Sequence, residues 1–183
     1  KLSQTLKEIV FYYDQPKETV FRAWATSSGL ESFFIERASF ESDQGRKRDA
    51  GEQARPGDAY VWEWRQPHSL EGTVLEVIPD SLLSMTFGSM SVTLRFAEAG
   101  AQTELHLSQT GISDTADGQV LGHLNCRCCW IFFLTNLKSV LESGRDLRDR
   151  DPERVSSMEV GFRSFVGTEG NGTRHTGTRG WRR

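Results

Sequence analysis

The sequence lacks the features that several broad classes of protein require. No apolar run approaches the 18 residues that a membrane-spanning helix needs, so the sequence argues against a helical span. Lysine and arginine form no stripe with interleaved aromatic residues in the part expected to fold, and the formal net charge is -3. This balance disfavours nucleic acid as a partner. There is no internal repeat, and a length of 183 residues predicts a single domain.

Cysteine is also scarce, and its placement argues against a disulfide-stapled fold. Cys126, Cys128 and Cys129 are the three cysteines, and they crowd into one predicted helix. An odd number of thiols on one element is unsuited to a disulfide framework and is typical of a reducing, cytoplasmic setting. The chain begins at Lys1 rather than at methionine, so the sequence leaves open whether a leader has been removed.

The longest apolar segment, residues 117–144, predicts one long helix. Asp117 is the expected N-cap, and Gly144 stands where a left-handed glycine would end the helix. With a rise of 1.5 Å per residue, this helix would be roughly 37 Å long and would cross a small domain.

The apolar stripe of this helix does not stay on one face. If the helix is straight, the face that buries Trp130 and Leu137 also carries His123 and Cys126 towards the N-terminus, and Leu124 points outwards. A kink in the middle would turn Leu124 inwards and place His123 on the outer surface. The sequence leaves both alternatives open.

Upstream of this helix, hydrophobic periodicity predicts strands and two short helices. Short turn-forming sequences between the later strands indicate an antiparallel sheet with one buried face. Residues 41–58 are polar and charged, and they predict a long mobile loop. The predicted strands cover residues 6–13, 35–40, 60–64, 70–78, 82–87, 90–96 and 103–109, and the predicted helices cover 16–25 and 28–34, with a break near Gly29. The residues expected to point inwards are Leu75, Val77, Met85, Phe87, Val92, Leu94, Phe96, Leu105 and Leu107.

This order of elements predicts an α+β helix-grip fold, in which a curved antiparallel sheet of six or seven strands wraps around the long C-terminal helix. Residues 16–24 (PKETVFRAW), 70–79 (LEGTVLEVIP) and 130–142 (WIFFLTNLKSVLE) carry a family resemblance. In these segments the chain resembles the START-related superfamily, also called SRPBCC or birch-pollen-allergen-like. Within it, the chain is similar to bacterial homologues of the activator of heat-shock-protein-90 ATPase.

The expected domain organisation is one START-like domain followed by a tail. The domain covers residues 1–150, where the family resemblance and the core-forming residues lie. Residues 151–183 are charged and rich in glycine and arginine, which predicts a poorly ordered tail.

Large aromatic side chains are the strongest indication of function. Apolar walls with a few polar groups are what a small-molecule pocket requires. We predict a cavity between the sheet and the first half of the long helix that holds a small hydrophobic or aromatic molecule. A core filled completely by the same rings is the alternative. The predicted ligand-binding residues are Trp62, Trp64, Phe87, Trp130, Phe33 and Phe34 in the walls, with His123 and Cys126 at the mouth.

Catalysis and metal binding receive less support from the sequence, and no cofactor, metal or catalytic residue is predicted. His123 and the cysteines offer metal ligands on one helix, but structural zinc usually takes paired ligands from two separated segments. Cys126 with His123 would lack the third, orienting group of a nucleophilic site.

Two alternative functions stay open. The first is a cyclase or hydrolase of the same superfamily, with His123 as general acid or base. The second is a co-chaperone-like module that binds a protein partner, or a second copy of itself, through Leu121, Leu124 and Ile131. The ligand-binding protein predicted above would itself fit a stress- or chaperone-related accessory role. That apolar stripe should be covered, either by a partner or by the loop of residues 41–58.

Overall fold

The computed structural model describes residues 4–64 and 68–151, with only the backbone described at Lys7 and His68. Its elements follow the predicted order. They are β1 (Leu6–Tyr13), α1 (Lys17–Ala25), α2 (Ser27–Phe33), β2 (Arg37–Glu41), β3 (Ala59–Trp64), β4 (His68–Ile78), β5 (Leu82–Phe87), β6 (Met90–Ala99), β7 (Gln102–Thr110), α3 (Ala116–Gln119), a π-helical segment (Val120–Asn125) and α4 (Cys126–Ser143). Apart from Asp151, the predicted tail lies outside the described residues, and the domain boundary at residue 150 stays a prediction.

The strands form one antiparallel sheet in the order β1-β7-β6-β5-β4-β3-β2. Successive strands from β2 to β7 are neighbours because short turns join most of them. Strand β1 lies at the other edge of the sheet, beside β7. The α4 helix packs against β1 and α2, and Tyr13 of β1 donates a hydrogen bond to the Leu134 carbonyl at 3.1 Å. This arrangement confirms the predicted α+β helix-grip fold.

One face of the sheet is buried, as predicted, with two exceptions in β4, Leu75 and Val77. Leu75 was expected inwards, but its side chain is 48% exposed. The register of β4 shifts between Val74 and Glu76, and this bulge changes which alternate residues face the core. Val74 is therefore buried, and Val77 is only partly buried. The other expected inward residues are buried: Met85, Phe87, Val92, Leu94, Phe96, Leu105 and Leu107.

The two short helices separate at Thr26 and not at the predicted Gly29. The Thr26 side chain caps α2 by accepting a hydrogen bond from the Gly29 amide at 3.1 Å. Gly29 instead lies inside α2, where a Cβ atom would stand 2.6 Å from the carbonyl oxygens of Arg22 and Ala23. Glycine at this position therefore permits the close approach of α1 and α2.

The predicted long helix is confirmed as one continuous right-handed run through α3, the π-helical segment and α4, which together we call the long helix. Its N-cap is Thr115 and not Asp117, since the Thr115 side chain accepts from the Gly118 amide at 3.1 Å. Gly144 ends the helix with φ of 69° and ψ of 12°, as a left-handed C-terminal glycine should.

The polar loop between β2 and β3 is tied to the domain, which is not what the sequence predicts for a mobile loop. Arg48 pairs with Asp58 and donates to Glu52 at 2.8 Å, and the Arg48 and Asp58 side chains are 5% and 2% exposed. The Ala54 amide donates to the Ala25 carbonyl at the end of α1 at 2.7 Å. The loop therefore packs beside α1, α2 and β4.

The chain turns back after the long helix and packs against the junction of α2 and β2. The side chain of the buried Asn136 accepts from the Leu147 amide at 2.6 Å and donates to the Phe33 carbonyl at 2.7 Å. The buried Arg148 donates to the Ile35 carbonyl at 2.8 Å. These contacts fix the C-terminal end of α4 and leave its opposite end to form the candidate site.

Candidate functional site

The long helix presents polar residues to the sheet at its N-terminal half. Asn125 and Cys126 are 3% and 2% exposed, whereas Leu124 is 60% exposed. His123 lies between these extremes and is half-buried. The burial pattern agrees with the straight-helix alternative and rules out the kink that would turn Leu124 inwards.

The π-helical segment positions these residues. The Cys126 amide donates to the Leu121 carbonyl, five residues back, instead of to the residue four back as in an α-helix. Gly122 faces Ile112, the residue that follows β7 by one glycine, and a Cβ atom on Gly122 would lie 2.6 Å from Ile112 Cγ2. The absence of a side chain thus allows the helix to lie on the end of β7.

The predicted wall residues come together in one aromatic cluster. Phe34 is at its centre, with ring-centroid distances of 5.2 Å to Trp62, 5.6 Å to Trp64 and 5.6 Å to Trp130. Phe87 bridges the two sides at 5.2 Å from Trp130 and 6.4 Å from Trp62. The two walls therefore touch at Phe34, and Phe87 links them on the side of the π-helical segment.

The other predicted wall residue, Phe33, is fully buried and belongs to the inner side of this cluster. Its ring lies 5.0 Å from that of Trp24, which the sequence analysis left out of the site. Trp24 is itself 6.2 Å from Trp130. Phe33 and Trp24 therefore form the floor beneath Phe34.

Gln109 is a site residue that sequence reasoning missed. It is fully buried at the end of β7, where its Oε1 accepts from the Trp130 indole nitrogen at 2.8 Å and its Nε2 donates to Met90 Sδ at 2.9 Å. The alternation of Leu105, Leu107 and Gln109 along β7 points all three inwards, so this signal was available. Gln109 fixes the orientation of the Trp130 ring.

Asn125 is the second missed residue. Its Oδ1 accepts a weak hydrogen bond from Cys129 Sγ at 3.8 Å, and its Nδ2 is buried without a hydrogen-bond partner among the described residues. The signal was its helical spacing of one turn before the inward Cys129. Asn125 adds an adaptable polar group to the helix side of the site.

The thiols of this helix are not suited to nucleophilic catalysis. Burial raises the pKa of Cys126, and burial followed by repulsion from Cys126 raises the pKa of Cys129 to about 12. Both thiols therefore stay protonated at neutral pH, while the thiolate is the reactive form. Cys128 is exposed on the opposite face. Among the described residues no group of three or more His, Cys, Asp or Glu could hold a metal ion.

Two buried indole N–H groups in the aromatic cluster have no hydrogen-bond partner among the described residues. They belong to Trp24 and Trp62, each 1% exposed. The buried Oε1 of Gln119, on the first turn of the long helix, is in the same situation. Because buried polar atoms in folded proteins are nearly always hydrogen-bonded, these groups are exceptions that require an explanation.

The outer face of the long helix carries an exposed apolar surface, which we call the outer stripe: Leu121, Leu124, Cys128 and Ile131. Leu121, Leu124 and Ile131 are 40%, 60% and 38% exposed. The loop between β2 and β3 packs beside α1, α2 and β4, so of the two expected coverings of the stripe, a partner or this loop, the loop is excluded. No helix of the described chain is long and apolar enough to cross a membrane.

Comparison with known sequences gives a family match over most of the domain. Residues 14–142 match the family described as activator of Hsp90 ATPase homolog 1-like protein. A comparison with curated proteins found no match.

Solved structures share the fold at low sequence identity. Protein SSP2350 from Staphylococcus saprophyticus is 23% identical, with a TM-score of 0.61 over 77% of this chain and 96% of that chain. The Aha1 dimer from Colwellia psychrerythraea is 16% identical, with a TM-score of 0.62 over 77% of this chain and 98% of that chain. CalU16 from Micromonospora echinospora is 20% identical, with a TM-score of 0.55 over 75% of this chain and 76% of that chain. At these identities the similarity establishes the fold alone.

Proposed function

This chain belongs to the family of activator of Hsp90 ATPase homolog 1-like proteins, and from that premise we propose that it binds a small hydrophobic or aromatic molecule. Membership of this family supports a ligand-binding module of the SRPBCC type. The bound molecule lies between the sheet and the N-terminal half of the long helix. The observation that carries the proposal is the Trp62 indole N–H, which is buried among aromatic rings and has no partner among the described residues.

The composition of the site favours an apolar ligand. Trp62, Phe87 and Trp130 offer ring surfaces, and the buried polar side chains beside them include the uncharged amides of Gln109 and Asn125. Trp64 and His123 are only half-buried, so they mark the side from which a molecule enters. Binding without chemical conversion is the simpler function, because the two inward thiols are held in their unreactive, protonated form.

An equilibrium titration with the apolar dye Nile red tests this function. We expect saturable fluorescence enhancement by the wild-type protein and a Kd raised about tenfold in Trp64→Ala, since truncating a ring that contacts a bound molecule costs on the order of 1.4 kcal/mol or more. The melting temperature should change little, because the Trp64 side chain is only half-buried.

Leu124→Ser is the matched control for that titration, because it removes the most exposed apolar side chain of the outer stripe. This variant should bind Nile red as the wild type does. If Leu124→Ser loses the dye and Trp64→Ala keeps it, the dye reports the exposed surface and the proposed site is wrong.

A second function, self-association through the outer stripe, is favoured by a separate observation. Leu121, Leu124 and Ile131 form an exposed apolar row on one helix face, and soluble monomers seldom leave large apolar patches open. The similar structure from Colwellia psychrerythraea is described as a dimer. We propose that two copies of this chain pair through the outer stripe.

Sedimentation equilibrium tests the pairing. Leu124→Glu should give a monomer, whereas Leu75→Glu should leave a dimer, since Leu75 is also exposed but lies on the sheet. A wild-type protein that sediments as a monomer at the highest concentration tested would refute the pairing and leave the ligand site unaffected.

A further inference from the structure

The buried polar atoms that lack a hydrogen-bond partner among the described residues are mainly donors. Those in the aromatic cluster are the N–H groups of Trp24 and Trp62; on the long helix, Asn125 adds a third N–H group and Gln119 an acceptor oxygen. A hydrocarbon would leave all of them without a partner, and each buried donor left in that state destabilises the complex. The excess of donors therefore selects for a molecule that carries acceptor oxygens.

The two indoles carry this argument more strongly than the amides. An asparagine or glutamine side chain can rotate by half a turn and exchange its donor for its acceptor. An indole N–H can only donate, and its ring is held by its neighbours. The Trp62 ring packs edge-on against Phe34, at 5.2 Å and an interplanar angle of 83°, and lies 4.4 Å from the ring of Tyr60. Its N–H is therefore fixed in direction before any ligand arrives.

Both indoles are 1% exposed, and Trp62 is the one that lies beside the half-buried Trp64. It follows the same face of β3 as the half-buried Trp64, with ring centroids 6.3 Å apart. Trp24 instead lies on α1 beneath Phe33 and Phe34, at 5.0 Å and 5.8 Å. A ligand that enters beside Trp64 meets the Trp62 N–H first.

The site also selects against a charged acceptor. The buried charged side chains of the described chain, Arg48, Asp58 and Arg148, are engaged in the β2–β3 loop or in the segment after the long helix. A carboxylate placed beside Trp62 would have no buried arginine of the described chain to pair with, and the half-buried His123 lies at the entrance. The carboxylate would therefore bear a large cost of desolvation. A neutral oxygen bears a much smaller cost.

We infer that the natural ligand is a flat, mainly apolar molecule with a neutral carbonyl oxygen, of the ketone, quinone or ester type, which accepts a hydrogen bond from Trp62 Nε1. This inference rests on the proposed ligand-binding function and specifies the chemical class of that ligand. Its carbonyl faces β3, and its apolar rings lie towards Phe87 and Trp130.

Fluorenone and fluorene test the inference, because they have the same ring skeleton and differ in a carbonyl against a methylene group. We expect the ratio of the fluorene Kd to the fluorenone Kd to be fivefold to tenfold lower in Trp62→Phe than in the wild type. The variant loses one hydrogen bond to the carbonyl, and one hydrogen bond corresponds to roughly this factor. Leu124→Ser, on the outer stripe, is the control and should leave the ratio unchanged. Trp24→Phe removes the other buried indole N–H and shows whether that group, rather than Trp62, donates to the carbonyl. Fluorene-9-carboxylate should bind more weakly than fluorenone.

An infrared measurement on the wild type gives an answer that does not depend on any variant. The carbonyl stretching band of bound fluorenone should move to lower wavenumber than in hexane, because a hydrogen bond weakens the carbonyl bond.

Three outcomes would overturn the inference. They are an unshifted carbonyl band, a Kd ratio unchanged in Trp62→Phe, and a ratio that falls only in Trp24→Phe. If the Kd ratio does not change in Trp62→Phe, the Trp62 N–H points instead to the face of the Phe34 ring, which is a weaker hydrogen-bond acceptor. If fluorene and fluorenone both bind, only the carbonyl inference fails, whereas the absence of binding by both refutes the proposed function itself.

Discussion

At the scale of single residues, the three cysteines of the long helix differ in reactivity because they differ in burial. Cys126 and Cys129 are buried, and burial raises the pKa of both thiols, whereas Cys128 is exposed on the outer stripe. Because pairing through the outer stripe would cover Cys128, the experiment uses the monomeric Leu124→Glu variant. In this variant we expect iodoacetamide to alkylate Cys128 rapidly and the other two thiols only after unfolding. Mass spectrometry of peptides from a timed reaction identifies the sites.

Cys128→Ser is the control for this labelling experiment, because it should abolish the rapid phase and leave the slow ones. Rapid alkylation of Cys126 in the native protein would contradict our account. It would also revive a nucleophilic role for this thiol beside His123.

His106 is a second residue whose surroundings predict a measurable effect, in this case a dependence of fold stability on pH. It lies on β7 between Glu104, with which it is hydrogen-bonded, and Glu8 of β1, whose carboxylate oxygen is 2.9 Å from His106 Nδ1. The hydrogen bond with Glu104 raises the pKa of His106; burial opposes this rise and Glu8 adds to it. The protonated ring thus joins the edge strand β1 to its neighbour.

A raised folded-state pKa gives this contribution a definite sign. The ion pairs stabilise the fold fully below the ordinary histidine pKa of about 6.5, and the contribution is lost as pH rises through the folded-state value. Between about pH 5 and pH 8, the unfolding free energy of the wild type should fall by at most about 1 kcal/mol more than that of His106→Gln. The effect is small because the ion pairs are partly exposed. Urea unfolding across this range measures the difference. Parallel pH profiles would show that His106 does not titrate in the folded state as described.

At the scale of elements, the connection between β2 and β3 is held by a buried ion pair and not by regular secondary structure. Arg48→Met should leave the buried Asp58 without its counter-charge, at a cost of roughly 3–5 kcal/mol. Arg55→Met should cost less than about 0.5 kcal/mol, because the Arg55 side chain is 68% exposed and its nearest Glu52 oxygen is 3.6 Å away. Urea unfolding monitored by circular dichroism compares the two variants. Equal urea midpoints would mean that the loop is not anchored through Arg48.

The same elements show which features can be predicted from sequence. Alternation and turn residues predict β6 and β7 well, since inward and outward side chains there differ clearly in polarity. The bulge in β4 breaks the two-residue alternation of inward and outward side chains. Because the outward-facing Leu75 is apolar, the sequence does not reveal this change. Arg48 and Asp58 are separated by a stretch with no periodicity, so their pairing depends on tertiary structure.

For the whole molecule, the order of elements and the family-like segments are sufficient to predict the helix-grip fold. The candidate site is less predictable, because the sequence does not show whether a buried polar side chain has a hydrogen-bond partner. That depends on the tertiary structure. Gln109 acquires Trp130 as a partner, whereas the Trp62 indole acquires none among the described residues. Burial of Cys126 follows from helix phase, but the π-helical segment that presents it leaves no distinct mark in the sequence.

The central claim is that a ligand enters between the sheet and the N-terminal half of the long helix. The most direct test is an NMR titration of the ¹⁵N-labelled protein with fluorenone, observing the indole N–H signals of the tryptophans, assigned by single Trp→Phe variants. Our account predicts saturable shifts of the Trp62, Trp64 and Trp130 signals, the largest at Trp62. Unmoved indole signals, together with shifts confined to the backbone amides of Leu121, Leu124 and Ile131, would contradict it.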